Sequence, residues 1–328
     1  MSKYNEPAIG TYNHKFAGIC TMMRLPHVTS PEGLDVAIVG VPYDMGTFIR
    51  PGARLGPAQI RDMSRYIRNV NPATGVAPFE LVQVADLGDA PVNPVNVQGT
   101  HRKVAEFYAD IARAGAAPLT AGGDHTVPLM VLRGLRDAGV LTQPIGLIQF
   151  DAHADVLMTD GGVFEGEETN HATFARLAIE EGVVDPKRSF QIGLRGSQYS
   201  LDANRFASEA GVRMIYQHEF DEIGPKQVIR EIREAAAKGP MYLSIDVDGL
   251  DPSICPGTGY CEPGGLTMRE MQMMLRGMQG IDLIGADVCE VSPMLDPSGN
   301  TALVAAHLLF EQLCILSEAV ARRKGRLT

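Results

Sequence analysis

The sequence predicts an α/β fold built on a mostly parallel eight-stranded sheet with crossover helices. Two observations carry this. From residue 35 onward, short apolar runs alternate with helix-like segments, the pattern that βαβ units produce. The runs are apolar throughout rather than at every second position, as expected of strands covered on both faces. Strands are expected at 35–41, 81–85, 117–120, 145–150, 190–194, 213–216, 241–245 and 283–288. Helical spacing falls between them, at 102–114, 128–138, 173–181, 227–237, 268–278 and 301–316. Eight such units can close into a barrel or remain an open, doubly wound sheet, and periodicity does not choose between them. In both, functional residues gather at the carboxyl ends of the strands. With no low-complexity linker and no internal repeat, 35–328 reads as one domain. Residues 1–34, with Pro26 and Pro31, read as an extended arm available for subunit contacts.

Two of the expected strands end in clustered carboxylates. One runs into Asp151-Ala152-His153-Ala154-Asp155, another into Ser244-Ile245-Asp246-Val247-Asp248. Residues two apart on an extended chain share a side, so each run presents its carboxylates together. Such a gathering at apolar strand ends is costly unless a cation joins it. The alternatives are a helix N-cap for the first run and a structural calcium site or cap for the second. Asp251-Pro252 reads as a turn. Gly122-Gly123-Asp124-His125 also closes a strand, and its glycines allow a tight turn that aims His125 outward. If that strand neighbours the next in sequence, their ends lie about 5 Å apart. His125, Asp151, His153, Asp155, Asp246 and Asp248 then make six ligands, more than one ion needs. Carboxylate and imidazole suit Mn, Fe, Ni and Zn. A pair of such ions about 3.5–4 Å apart lowers the pKa of water, which makes metal-assisted hydrolysis the expected reaction class.

Composition narrows the partners. A net charge of −10 argues against nucleic acid, which calls for a basic face. No run approaches the ~20 continuous apolar residues of a membrane span. The first residues lack the apolar core of a signal peptide. Five scattered cysteines without a Cys-x-x-Cys pair fit a reducing, cytoplasmic setting. No Gly-x-Gly-x-x-Gly follows a strand, and neither a Gly-x-Ser-x-Gly elbow nor a P-loop is present. The methionines of 268–278 and His307 on its apolar helix read as core residues.

Together the blocks Gly-Gly-Asp-His125, Asp151-Ala-His153-Ala-Asp155 and Ser-Ile-Asp246-Val-Asp248-Gly-Leu-Asp-Pro resemble the ureohydrolase family of arginase, agmatinase and guanidino-acid hydrolases. Gly-Val-Pro-Tyr-Asp44, Arg54-Leu-Gly-Pro-Ala-Gln-Ile-Arg61, Pro256-Gly-Thr-Gly259, Gly264-Gly-Leu-Thr267 and Glu290-Val-Ser-Pro293 extend the resemblance. Ser298-Gly-Asn-Thr-Ala-Leu303 leans to the agmatinase and guanidinobutyrase branch. The resemblance implies the open three-layer sandwich, two Mn²⁺ per subunit with Ni²⁺ as the alternative, and a homotrimer or homohexamer. It assigns His125 and Asp155 to one metal and His153 and Asp248 to the other, with Asp151 and Asp246 shared. It gives Asp155 a part in orienting the attacking hydroxide, and Glu290 the guanidinium, whose fork suits a carboxylate. His171 becomes a proton shuttle, and Thr258 and Asn170 become substrate contacts.

The expected reaction is hydrolysis of a small guanidino compound to urea and an amine, agmatine by preference. The preference rests on Asp160, Glu165, Glu167 and Glu168, which could attract a cationic tail. A guanidino acid such as 4-guanidinobutyrate or 3-guanidinopropionate is the alternative, and guanidine or an alkylguanidine with nickel a third. A catalytically silent metal-binding subunit is the reading from another class. Departures from the family pattern fall around the substrate tail: Val156, Ala172, Cys261-Glu262 and a long loop between Asp155 and His171.

Overall fold

A computed structural model describes residues 4–8, 14–157 and 169–327. Its strands are β1 (Val36–Gly40), β2 (Val84–Asp89), β3 (Ala117–Ala121), β4 (Gly146–Phe150), β5 (Phe190–Leu194), β6 (Arg213–Tyr216), β7 (Met241–Asp246) and β8 (Leu283–Cys289). They form one sheet in the order β2-β1-β3-β8-β7-β4-β5-β6, and every pairing is parallel. β2 and β6 stand at opposite ends of the order, so the sheet is open, and one bridge from His27 to Asp86 covers part of the β2 edge. The barrel is ruled out, and the sheet is wholly rather than mostly parallel.

The helices are α1 (Gly56–Met63), α2 (Pro78–Leu81), α3 (Val97–Arg113), α4 (Val127–Asp137), α5 (Phe174–Glu180), α6 (Arg205–Ala210), α7 (Gln217–Ala236), α8 (Met268–Gly277) and α9 (Asn300–Arg323). One apolar layer joins α7, α8 and α9 to a face of the sheet, and a second joins α3, α4 and α5 to the other. The three-layer sandwich is the result. α9 is long and apolar enough to cross a membrane, but 89% of its apolar window is buried inside the fold. Its hydrophobicity is spent on the sheet.

Several boundaries differ from those expected. The second strand begins at Val84 rather than 81, because Pro78 opens a helical turn that consumes Leu81. α1, α2 and α6 carry patterns too short for periodicity to register. α7 begins ten residues before 227, because two helices join across Gly224, with φ at 72°, and Pro225. Of the first residues, Met22, Met23 and Leu25 are buried in the core. The Met22 amide donates to Asp86 and the Met23 amide to Ser64. Met271, Met274 and Met278 are core residues as expected, while His307 is only partly buried.

Candidate active site

All six expected ligands meet at the carboxyl ends of β3, β8, β7 and β4. β3 and β4 are not neighbours, however: β8 and β7 stand between them. His125 reaches the β4 end because the turn after β3 crosses the intervening strand ends. The Gly122 amide donates to Val288 O (2.8 Å) and the Glu290 amide to Gly123 O (2.7 Å). A side chain at Gly123 has no room, since its Cβ would lie 1.7 Å from the Tyr43 carbonyl oxygen. Gly123→Ala is therefore expected to cost about 3 kcal/mol or more, the upper range for an overpacked site. Urea unfolding would measure it, and a cost below about 1 kcal/mol would show that the turn shifts freely.

His125 Nδ1 faces Asp155 Oδ2 at 2.8 Å, Asp151 Oδ2 at 3.0 Å and Asp246 Oδ2 at 3.4 Å. His153 Nδ1 faces Asp248 Oδ2 at 3.0 Å and Asp151 Oδ1 at 3.5 Å. Two ligand trios result, His125–Asp151–Asp246 and Asp151–His153–Asp248, each with its donor atoms within 4.8 Å of one another. They share Asp151. Asp246 joins the first and is tied to the second through its Oδ1, which accepts the Asp248 amide at 2.8 Å.

The donors fit a metal. His125 Nδ1 and Asp155 Oδ2 are both buried without a hydrogen bond, although only 2.8 Å separates them. They converge on common space instead of pointing at each other, the arrangement a coordinated cation requires. Charge says the same. Burial drives the Asp246 carboxyl well above its ordinary pKa and raises that of Asp248. Burial, with the Asp151 charge beside it, pushes Asp155 up to about 7. Burial also opposes the Asp151 charge, but the His125 and His153 imidazoles beside it outweigh that and hold this carboxyl low. Four buried carboxylates cannot all ionise beside one another without added positive charge, and two divalent ions would supply an equal and opposite amount.

Beside the trios, Glu290 Oε1 accepts the His125 backbone N–H at 3.0 Å and lies 3.0 Å from His171 Nδ1. Burial opposes the charge on His171, but the hydrogen bond and charge of Glu290 outweigh it and lift the imidazole pKa to about 9. Its other nitrogen, Nε2, is buried without a hydrogen bond, as is Thr258 Oγ1. His171, Thr258 and Glu290 line a cavity of about 380 Å³ with His125, His153 and Asp155, within the size range of small-molecule sites. Asn170 does not line it; its Oδ1 accepts the Ala172 amide at 3.0 Å. Asp155 and Glu290 have φ of 50° and 65°, a conformation rare outside glycine and concentrated at functional sites.

Phe48, Ser197, Gln198 and Tyr199 also line the cavity. The Phe48 ring meets His171 edge-on at 4.4 Å. The acidic residues between 160 and 168 lie outside the described residues. Sequence reasoning missed Arg195, whose guanidinium donates to the carbonyls of Asp248 (2.5 Å) and Glu262 (2.7 Å) and so ties a ligand loop to a cavity loop. The unbroken Gly193-Leu194-Arg195 at a strand end was its only signal. Asp251 forms the expected turn, accepting the Ser253 and Gly264 amides.

The sequence profile of the arginase family matches residues 34–314. The chain belongs to the arginase family. Guanidinopropionase of Pseudomonas aeruginosa is 47% identical over 94% of this chain and 95% of its own. Guanidinobutyrase of the same organism is 44% identical over 97% and 98%, and the human mitochondrial guanidino acid hydrolase 44% over 95% and 87%. Among solved structures, proclavaminate amidino hydrolase from Streptomyces clavuligerus superposes with a TM-score of 0.86 at 36% identity, covering 93% of this chain and 99% of that one. This arginase-family chain is an amidinohydrolase, and its family uses a binuclear metal site.

Proposed function

We propose that this amidinohydrolase holds two Mn²⁺ on His125, Asp151, His153, Asp155, Asp246 and Asp248 and hydrolyses a small guanidino acid to urea and an amine. The observation that carries the proposal is the convergence of these six donors, all but Asp151 lining one cavity with the Glu290 carboxylate. Four carboxylates against two imidazoles make a mostly oxygen donor set, which favours Mn²⁺ over Ni²⁺. Bound there, the cation pair supplies a water whose pKa is lowered towards neutrality. The chain supplies the rest. Glu290 accepts N–H bonds from the guanidinium and holds its planar carbon in place. Thr258 Oγ1, buried and without a partner, bonds the guanidinium or the tetrahedral centre that forms when water oxygen adds to the carbon. His171, protonated below about pH 9, gives its Nε2 proton to the leaving nitrogen as the C–N bond breaks. Phe48 keeps water from one side of that imidazole.

The substrate tail meets Ser197, Gln198 and Tyr199, neutral side chains able to donate hydrogen bonds to a carboxylate. The names of the relatives at 44–47% identity point the same way. Agmatine, preferred on the acidic residues at 160–168, is the competing substrate. Urea release from 3-guanidinopropionate, 4-guanidinobutyrate, agmatine, arginine, guanidine and an N-alkylguanidine, with Mn²⁺ and Ni²⁺ in turn, decides. A guanidino acid is expected to show the highest kcat/KM. A higher value for agmatine or an alkylguanidine overturns the tail assignment, and silence on all six with two ions bound overturns the enzyme. Five unpaired cysteines support the proposal of a cytoplasmic setting, and the family resemblance that of a homotrimer or homohexamer.

A further inference from the structure

A row of five polar side chains crosses the sheet beneath the ligands. Thr120 is in register with Asp287, Asp287 with Ser244, Ser244 with Gln149, and Gln149 with Gln191. Residues in register on parallel strands face the same way, so the row spans β3, β8, β7, β4 and β5 on one side of the sheet. Each of the five is 0–1% exposed. Polar groups in such a place are costly unless they are bonded; Asp287, Ser244, Gln149 and Gln191 bond in pairs along the row, and Ser244 and Gln149 also reach the ligands.

On one side, Ser244 Oγ donates to Asp287 Oδ1 at 2.8 Å and lies 2.8 Å from His125 Nε2. A serine hydroxyl has one proton. With that proton given to Asp287, Ser244 accepts from His125 Nε2–H, which leaves the Nδ1 lone pair of the neutral ring facing Asp151, Asp155 and Asp246. On the other side, Gln149 Nε2 donates to Asp151 Oδ2 at 2.8 Å. Gln191 Nε2 donates to Gln149 Oε1 at 2.9 Å and to Ala154 O at 2.5 Å, which fixes the Gln149 amide with its N–H groups towards Asp151. One trio therefore has both its imidazole and its shared carboxylate oriented from a single row.

We propose that Asp287, Ser244, Gln149 and Gln191 are positioning residues for the cation pair, setting the free nitrogen of His125 and the orientation of Asp151 before a metal binds. The inference rests on the ligand assignment above. Thr120, which bonds Tyr108 Oη at 2.8 Å and no ligand, is the internal control.

The test is chelator competition on the Mn²⁺-loaded full-length chain, with the melting temperature of the chelated protein measured alongside. Ser244→Ala and Gln149→Met are each expected to weaken metal affinity about 10–100-fold, as loss of a partner behind a metal ligand does. Thr120→Val should bind as the parent does. A merely structural role would lower the melting temperature of the chelated protein and leave affinity alone. Affinities of both variants within about twofold of the parent, or an equal loss in Thr120→Val, overturn the proposal. If one variant fails to fold, the other decides. Asp246→Ala separates the two levels: if it keeps both ions, the ligand assignment fails, whereas loss of metal there with none in Ser244→Ala and Gln149→Met fails the row alone.

Discussion

Replacing Asp246 by alanine is expected to remove metal and activity together. Its Oδ2 lies 3.4 Å from His125 Nδ1 and its Oδ1 takes the Asp248 amide at 2.8 Å, so one side chain serves both halves of the cluster. The substitution leaves three carboxylates facing two cations, and it also frees the Asp248 loop. A fall in kcat/KM of more than about 10³-fold is expected, since the cations supply several kcal/mol to the transition state. Metal content by elemental analysis should drop below two ions per chain in step with urea release. Full activity with two ions bound would show that other groups hold the metal. The chelated variant should not be less stable than the chelated parent, because a buried carboxylate raised by its surroundings is a cost to the metal-free fold.

His171→Asn is expected to lower kcat by about 10²–10⁴-fold, the range for a positioned proton donor, with a smaller effect on KM. The sign of the pH dependence comes from the environment of the ring. Glu290 raises the imidazole pKa from its usual value near 6.5 to about 9, so the donor is charged below that pH and is lost as pH rises through it. The parent should therefore show an alkaline limb near 9 in kcat/KM, which reports the free enzyme, and the variant should lack it. Persistence of the limb in His171→Asn would assign it to another group and remove His171 from proton transfer. Glu290 takes part in both effects, since it holds His171 at 3.0 Å and faces the same cavity. A guanidinium arriving at Glu290 competes for the carboxylate that keeps His171 protonated, which couples substrate binding to release of the proton.

Much of this was legible along the chain because the chemistry is carried by residues close in sequence. Asp151, His153 and Asp155 stand at a spacing of two after one strand, and Asp246 and Asp248 after another. Both runs were read as one metal site, and the fold does bring their side chains together. The expected proximity of His125 was right for a mistaken reason. Strand neighbours were inferred from chain order, whereas β8 and β7, formed far later, insert between β3 and β4. Strand order is set by which apolar faces and crossovers pack best, and local patterning carries no record of that. The same holds for Asn170, whose side chain caps a turn rather than lining the cavity.

The local pattern of the chain was enough to predict parallel strands, candidate ligands and a reaction class, because alternation, spacing and donor chemistry are properties of neighbours in sequence. Only the folded molecule could decide that the sheet is open, that Glu290 holds His171, and that Thr120, Asp287, Ser244, Gln149 and Gln191 form a row. Those five residues come from five strands between Thr120 and Asp287, and each is ordinary where it stands. Register between strands is a long-range result of packing and backbone pairing, and it alone lined up single polar residues of apolar strands beneath the candidate ligands.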